Sequence, residues 1–165
     1  MLGHILGGWQ INGIFAAATG PASTLGIAFD RARSLQNELA QRPELRPGAS
    51  NNPVLADGRD PNRYYDVGAL ALPAPGFFGN VARNTLIAPG IRTFDFALAK
   101  NVMLHEDKTL QFRAEFFNIF NRSNFGLPGL TVFINDAGAV SPDAGRILTT
   151  TTTSRQIQFA LKIVF

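Results

Sequence analysis

The sequence predicts an all-β fold, an antiparallel meander of about four long strands. Three observations carry that prediction. Apolar and polar residues alternate with period two over several stretches of about ten residues, the mark of a strand with one apolar face. Sixteen Gly and ten Pro among 165 residues break the chain between those stretches, as turns and long connections require. Fourteen Phe stand against two Tyr and one Trp, so many plain rings must face either a core or lipid.

Composition bounds the rest. The length suits one ordinary domain. A net charge of +3 with 16% charged residues includes no Lys/Arg run of the kind that tracks nucleic acid, so no nucleic-acid partner is expected. With no cysteine, disulfide scaffolds and thiolate metal sites are excluded. No apolar run reaches the roughly eighteen residues of a transmembrane helix. Met1–Leu6 lacks the charged start and apolar core of a signal peptide, so an exported barrel reading requires the chain to be the tail of something longer.

The first strand is expected over about 8–18. Trp9, Ile11, Gly13 and Phe15 share one face; Gln10, Asn12, Ile14 and Ala16 share the other. Trp9 suits an interfacial aromatic girdle or a plain core. Thr19-Gly20-Pro21 breaks the pattern, and Ser23–Phe29 extends the strand beyond the break. A long loop, about 30–92, follows. Within it Arg31–Gln41 carries Leu35 and Leu39 four apart and predicts a short helix ended by Pro43 and Pro47. Asn51-Asn52-Pro53, Asp57-Gly58, Asp60-Pro61-Asn62 and Pro73-Ala74-Pro75-Gly76 are turn chemistry. The acidic and amide residues Asp57, Asp60, Asn62 and Asp66 are spaced unlike an EF-hand loop, so no metal is expected. A loop of roughly sixty residues is foreign to a compact soluble domain unless functional or folded in its own right. It is ordinary on the outward side of a large barrel.

The second strand is expected over about 93–103 and the third over about 109–120, joined by the polar turn His105-Glu106-Asp107-Lys108. Phe94, Phe96 and Leu98 face one way with Lys100, which can snorkel from the strand end; Asp95, Ala97, Ala99 and Asn101 face the other. Leu110, Phe112, Ala114 and Phe116 then alternate with Gln111, Arg113 and Glu115. The alternation fails over Phe116–Asn121, where Phe117 and Ile119 fall on the polar face, and either a bulge or a packed lumen contact would account for it. A second loop, about 121–145, is rich in Gly, Pro and Asn. Gly145–Thr153, with consecutive Thr, is β-prone and leads into the last strand, about 146–165. There Ile157, Phe159, Leu161, Ile163 and Phe165 alternate with Gln156, Gln158, Ala160, Lys162 and Val164.

A tilted strand of roughly 9–11 residues crosses a bilayer core. Laid out as a meander, the four strands put both long loops on one side and the short turn on the other, the asymmetry of an outer-membrane barrel. The expectation is therefore a partial, unclosed transmembrane β-barrel with long loops on one side. Phe159, Leu161, Ile163 and Phe165 would face lipid; Asp95, Gln111, Arg113, Glu115, Gln156, Gln158 and Lys162 would face the lumen. The competing reading is a soluble all-β binding module that buries its Phe-rich face against a second sheet and binds glycans or proteins with its loops.

Enzymatic constellations are poor. His4 and His105 lie at the chain start and in a turn, with no neighbouring nucleophile or ligand at metal spacing. The Gly-rich stretches lack a phosphate-loop pattern. No enzyme activity and no cofactor are expected. Arg113 and Glu115, two apart on one strand face, read as a structural ion pair or, inside a lumen, as a contact to a plug or a neighbouring strand.

Gly8-Trp9-Gln10-Ile11-Asn12-Gly13-Ile14 followed by Thr19-Gly20-Pro21 resembles a late barrel strand of TonB-dependent outer-membrane receptors. Gly79-Asn80-Val81-Ala82-Arg83-Asn84-Thr85 with Pro89-Gly90 is similar to a loop motif of their Oar-like branch, which carries an N-terminal carboxypeptidase-regulatory-like domain and is of acidobacterial type. Asp95 with Lys100-Asn101, Phe112–Asn121 with Asn124-Phe125-Gly126, Gly145-Arg146-Ile147 and Arg155–Leu161 resemble the same branch in order. The resemblance implies a barrel of about 22 strands closed by a plug, set in the outer membrane of a Gram-negative cell. Such a barrel imports a bulky substrate, a siderophore, glycan or similar, with energy passed from TonB. The chain would be its C-terminal portion, and its partners would be outer-membrane lipid and the remaining barrel and plug, with TonB reached through an N-terminal part. A strand ending Phe159, Leu161, Ile163, Phe165 also resembles the signal read by the barrel-assembly machinery, a strand addition at an exposed edge.

Overall fold

The computed structural model describes residues 6–35, 41–56 and 60–165. Its strands, in chain order, are β1 (Trp9–Ala18), β2 (Ala22–Ser23), β3 (Gly26–Ile27), β4 (Glu44–Leu45), β5 (Leu70–Ala71), β6 (Leu86–Ile87), β7 (Ile91–His105), β8 (Lys108–Phe117), β9 (Thr131–Phe133) and β10 (Gln156–Val164). The chain divides into two compact units. One comprises Met1–Ala18, Ile91–Asn124 and Thr152–Phe165; the other comprises Thr19–Gly90 and Phe125–Thr151.

The first unit is a four-stranded sheet in the order β1-β7-β8-β10, antiparallel throughout. Cross-strand partners share a face, and the register lines up the apolar stripes of all four strands. Ile11 meets Leu98, Phe15 meets Phe94, Phe96 meets Phe116, and Phe112 meets Leu161. A one-residue slip would throw every ring onto the polar face, so the period-two pattern fixes the pairing. Gly13 sits where a side chain would come within 3.3 Å of the Phe94 ring, so its missing Cβ makes room for that ring. The long connections β1 to β7 and β8 to β10 leave the sheet at one end, where Ala18 pairs with Ile91 and Gln156 with Phe117. The tight β7–β8 turn lies at the other, with a register irregularity between Met103 and His105.

The strand ends differ most from the expected ones in β7, β8 and β10. β7 runs past 93–103 in both directions. β8 stops at Phe117 rather than at 120, and β10 begins at Gln156 rather than at 146. The failure of alternation over Phe116–Asn121 is neither a bulge nor a packed lumen contact but a turn. Asn118 and Asn121 both take positive φ, 49° each, a region Asn enters more readily than most residues. Asn118 Nδ2 donates to the carbonyls of Arg122 (3.0 Å) and Thr153 (3.1 Å), and its Oδ1 accepts from Arg122 N (3.0 Å). Asn121 Oδ1 accepts from Arg155 N at 2.9 Å. Asn124 Oδ1 accepts from Arg92 N at 2.9 Å, and its Nδ2 donates to Arg92 O and Thr152 Oγ1. Three asparagines at a spacing of three thus tie together the ends of β7, β8 and β10.

The second unit contains the buried cluster of the described residues: Leu25, Ile27, Tyr64, Tyr65, Leu70, Val81, Leu86, Val132, Phe133 and Ile147. The cluster draws on described residues of the two segments expected as long loops, about 30–92 and 121–145, together with neighbours from 19–29 and 146–151. Short pairings frame it: β2 with β6 and β4 with β5 antiparallel, and β3 with β9 parallel. The parallel pair is a local departure from the meander. Ser23–Phe29 does not prolong β1; its residues pair with β6 and β9 instead. Thr149–Thr153 is not strand either. Ile147 is buried in this core, and Gly126 N donates to Thr149 O at 2.8 Å, so the Thr run borders the packed unit before β10 begins.

The expected helix over Arg31–Gln41 is not formed at its described start. Arg33 and Leu35 have φ of 54° and 58°, which a right-handed helix does not admit. Asp30 instead accepts Ser34 N (3.0 Å), Leu35 N (2.8 Å) and the Gln41 side chain. Leu39 lies outside the described residues, as do His4 and Asp57-Gly58. The motif Gly79–Thr85 is a set of braces. A Cβ on Gly79 would fall 2.2 Å from the carbonyl oxygens of Arg42 and Pro43. Asn80 Oδ1 accepts Leu45 N at 2.7 Å, and Asn84, at φ 55°, bonds Thr24. Tyr64 and Tyr65 give their hydroxyls to Ile87 O and Gly129 O, each at 2.7 Å. Burial pushes both phenols above their ordinary pKa.

Candidate membrane-facing surface

The surface follows from the register. On one face of the first unit stand Trp9, Ile11 and Phe15 from β1, Phe94, Phe96 and Leu98 from β7, Leu110, Phe112 and Phe116 from β8, and Ile157, Phe159, Leu161 and Ile163 from β10. Ile11, Phe15, Phe159 and Leu161 are each 66–68% exposed, and none of the face's residues belongs to the buried cluster of the described residues. Phe94, Phe96 and Phe116 are half-buried, because the rings lie on one another. Phe96 and Phe116 are 6.0 Å apart, Phe112 and Phe159 stack at 6.1 Å, and Phe116 meets Phe159 edge-on at 6.5 Å. Water would be a poor solvent for this continuous apolar face. Phe165, beyond the end of β10, is 91% exposed.

Lys100 falls on the apolar face, near the end that carries the tight turn. Its ammonium lies 4.9 Å from the centre of the Trp9 ring and donates to Gly7 O, which lowers the cost of a cation on such a face.

The opposite face carries the polar residues, with Ile14, Met103, Phe117 and Val164 exposed among them. Gln111 Nε2 donates to Asn101 Oδ1 at 2.9 Å. Arg113 and Glu115 form an ion pair at 2.6 Å, and Glu115 also accepts the Gln158 side chain. Gln156, Gln158 and Lys162 stand exposed on β10, opposite Phe117, Glu115 and Gln111. Asp95 has a structural duty the sequence did not announce: its Oδ1 accepts Asn118 N at 2.8 Å and holds the turn after β8. His105 contacts Asp107 at 3.2 Å, a local turn contact. In the second unit Asp60 accepts Asn62 N (2.8 Å), and Asp66 accepts Gly68 N (3.1 Å) and Arg63 Nη2 (3.2 Å).

A cavity of about 390 Å³ opens at the sheet end from which the long connections leave. The rings of Phe15, Phe94 and Phe120 line it with Arg92 and Arg122, and Phe94 and Phe120 lie 5.7 Å apart. Sequence reading missed this group. Arg92 stands just before the expected strand start, and Phe120 lies in the stretch where alternation breaks down. The one available signal was parity, which puts Arg92 on the face of Phe94 and Phe96.

β1, β8 and β10 are each 9 or 10 residues long and β7 is 15, lengths that suffice for tilted strands to cross a bilayer core. A search of the curated proteins and of the solved structures gave no match. A family model described as an outer membrane beta barrel domain matches residues 1–158. That match spans β1, β7, β8, both long connections and the start of β10, and it places the protein in the outer membrane, in association with its lipid. The chain belongs to the outer membrane beta barrel domain family.

Proposed function

We propose that the four-stranded sheet is a wall segment of a large TonB-dependent receptor of the Oar-like, acidobacterial type, serving uptake of a bulky substrate and performing no catalysis. The observation that carries the wall assignment is the register, which gathers the apolar stripes of four strands on one uncovered face. Phe159, Leu161, Ile163 and Phe165 meet lipid. Asp95, Gln111, Arg113, Glu115, Gln156, Gln158 and Lys162 face the lumen. β1 and β10 are the outer strands of the sheet and are exposed along their whole length. Their edges suit pairing with the remaining barrel and, during assembly, with the barrel-assembly machinery by strand addition. The Arg113–Glu115–Gln158 cluster on the lumen side is the natural place for a plug to bond. A soluble module would have to bury the Phe-rich face, and the exposure of that face speaks against it.

The 165 residues contain no cysteine, so labelling of each single-cysteine variant is read against the unaltered protein as background. Cysteine is introduced in turn at Gln158, Phe159, Ala160, Leu161 and Lys162 of the protein in its native outer membrane. Labelling by a water-soluble thiol reagent should rise and fall with period two, with Phe159→Cys and Leu161→Cys protected. Uniform labelling, or the opposite phase, overturns the wall reading. The receptor reading is tested by uptake of bulky nutrients in cells with and without this gene and with and without TonB. A nutrient whose uptake needs both supports it; uptake that needs the gene but not TonB overturns it.

A further inference from the structure

The cavity beside Phe94 joins two chemistries that seldom meet on an apolar face. Phe15, Phe94 and Phe120 form its greasy wall, and Arg92 and Arg122 bring two permanent positive charges. Both arginines are exposed. Among the ion pairs of the described residues, which use Arg31, Arg63, Arg113 and Arg146, neither takes part. The backbone of both is fixed. Arg92 N and O are held by the Asn124 side chain, and Arg122 N and O by the Asn118 side chain. Their positions are therefore set by the turn while their guanidinium groups remain available to a ligand. Register places Arg92 opposite Ala17, on the same face as Phe94 and Phe15.

We propose that this cavity holds the phosphorylated headgroup of a membrane lipid, with the phosphate on Arg92 and Arg122 and the acyl chains along Phe15, Phe94 and Phe120. The inference rests on the wall reading above, in which this face meets lipid and the end bearing the long connections reaches the bilayer surface. Guanidinium forks match phosphate oxygens in bidentate geometry. Basic pockets among membrane-spanning elements are suited to anionic headgroups. A free anion would gain nothing from three rings. A neutral lipid would offer the two guanidinium groups no anion to bind. A phosphate monoester or diester that carries its own apolar chains satisfies both halves of the site at once.

The test uses the protein extracted from its outer membrane in neutral detergent, with binding followed by native mass spectrometry. Three probes are compared: dihexanoyl phosphatidic acid, dihexanoylglycerol and inorganic phosphate. The phosphatidic acid should bind at least about tenfold more tightly than the neutral glyceride or inorganic phosphate, and the preference should shrink as salt is raised. The double variant Arg92→Gln/Arg122→Gln should lose roughly tenfold or more of that affinity, while Lys108→Gln at the opposite sheet end should lose none. Both arginines bond Asn118 and Asn124 through backbone atoms, so the substitutions spare the turn, and the probe comparison on unaltered protein stands whether or not the variant folds. Equal binding of inorganic phosphate would make this an anion site without a lipid and overturn the proposal. Equal binding of the glyceride, or a double variant that binds phosphatidic acid as before, would overturn it too. The cysteine pattern separates the two levels: a preserved period-two pattern with no lipid preference sinks this inference alone, whereas loss of the pattern sinks the wall reading beneath it.

Discussion

Asn118 concentrates more of the fold than any charged residue in the sheet. It is 5% exposed, takes a left-handed conformation, and spends its side chain on Arg122 and Thr153. Asn118→Ala should cost about 1–3 kcal/mol, because it removes the three hydrogen bonds of a buried amide side chain and puts a residue without local bonding into that conformation. Asn118→Gly relieves the backbone but not the lost bonds, so it should fall between. The urea midpoint of the protein refolded into vesicles measures both, and equal midpoints for all three forms would refute the brace. Asp30 gives a residue-scale prediction with a sign. The amide of Ser34 foremost, aided by Leu35 and Gln41, holds its carboxyl below the ordinary value. A folded value lower than the unfolded one adds stability above the ordinary carboxylate pKa and loses it as pH falls through the lowered folded value. Exchange of the Ser34 and Leu35 amides, corrected for the intrinsic rate, should therefore accelerate on acidification through that window. Asp30→Asn should remove the pH dependence.

At the scale of the strand, neighbours on β10 should differ sharply. Leu161→Lys puts a cation on the apolar face, and at mid-strand in a bilayer that costs about 2–4 kcal/mol. Gln158→Lys puts the same charge on the polar face next to Glu115, its present partner, and should cost little or gain slightly. Comparing the two folding midpoints in vesicles decides the assignment of faces, and equal losses would count against it. The strands were legible because period two survives any context: Phe94, Phe96, Phe112, Phe159 and Leu161 mark a face whether it meets lipid or protein. Their ends were not legible. Nothing in the composition of Phe116–Asn121 says that Asn118 and Asn121 turn left-handed. The β-prone Thr149–Thr153 run is claimed instead by the packing of Ile147 and by Gly126.

At the scale of the molecule, the sequence hid a core. Tyr64, Tyr65, Leu70, Val81, Leu86 and Ile147 come from stretches with neither a helical nor a strand period, because short bridges and side-chain bonds fold them. Val54 bridges Tyr65, Arg46 Nε donates to Leu70 O at 3.1 Å, and Arg42 Nη1 donates to Val81 O at 2.5 Å. Such cores leave no pattern to read, only an excess of Gly, Asn and Pro around scattered large residues. The consequence is that the described parts of the long connections share a packed core. Tyr65 is the residue to remove, being fully buried and bonded to Gly129 O. Tyr65→Ala should cost the second unit about 3–5 kcal/mol, and Tyr65→Phe about 1 kcal/mol for the single hydrogen bond. In intact cells, external protease should leave residues 60–90 and 125–151 uncut in the native protein and in Tyr65→Phe, yet cleave them in Tyr65→Ala while the four sheet strands remain protected. Rapid cleavage within those two segments of the unaltered protein would show that the core does not hold in the membrane.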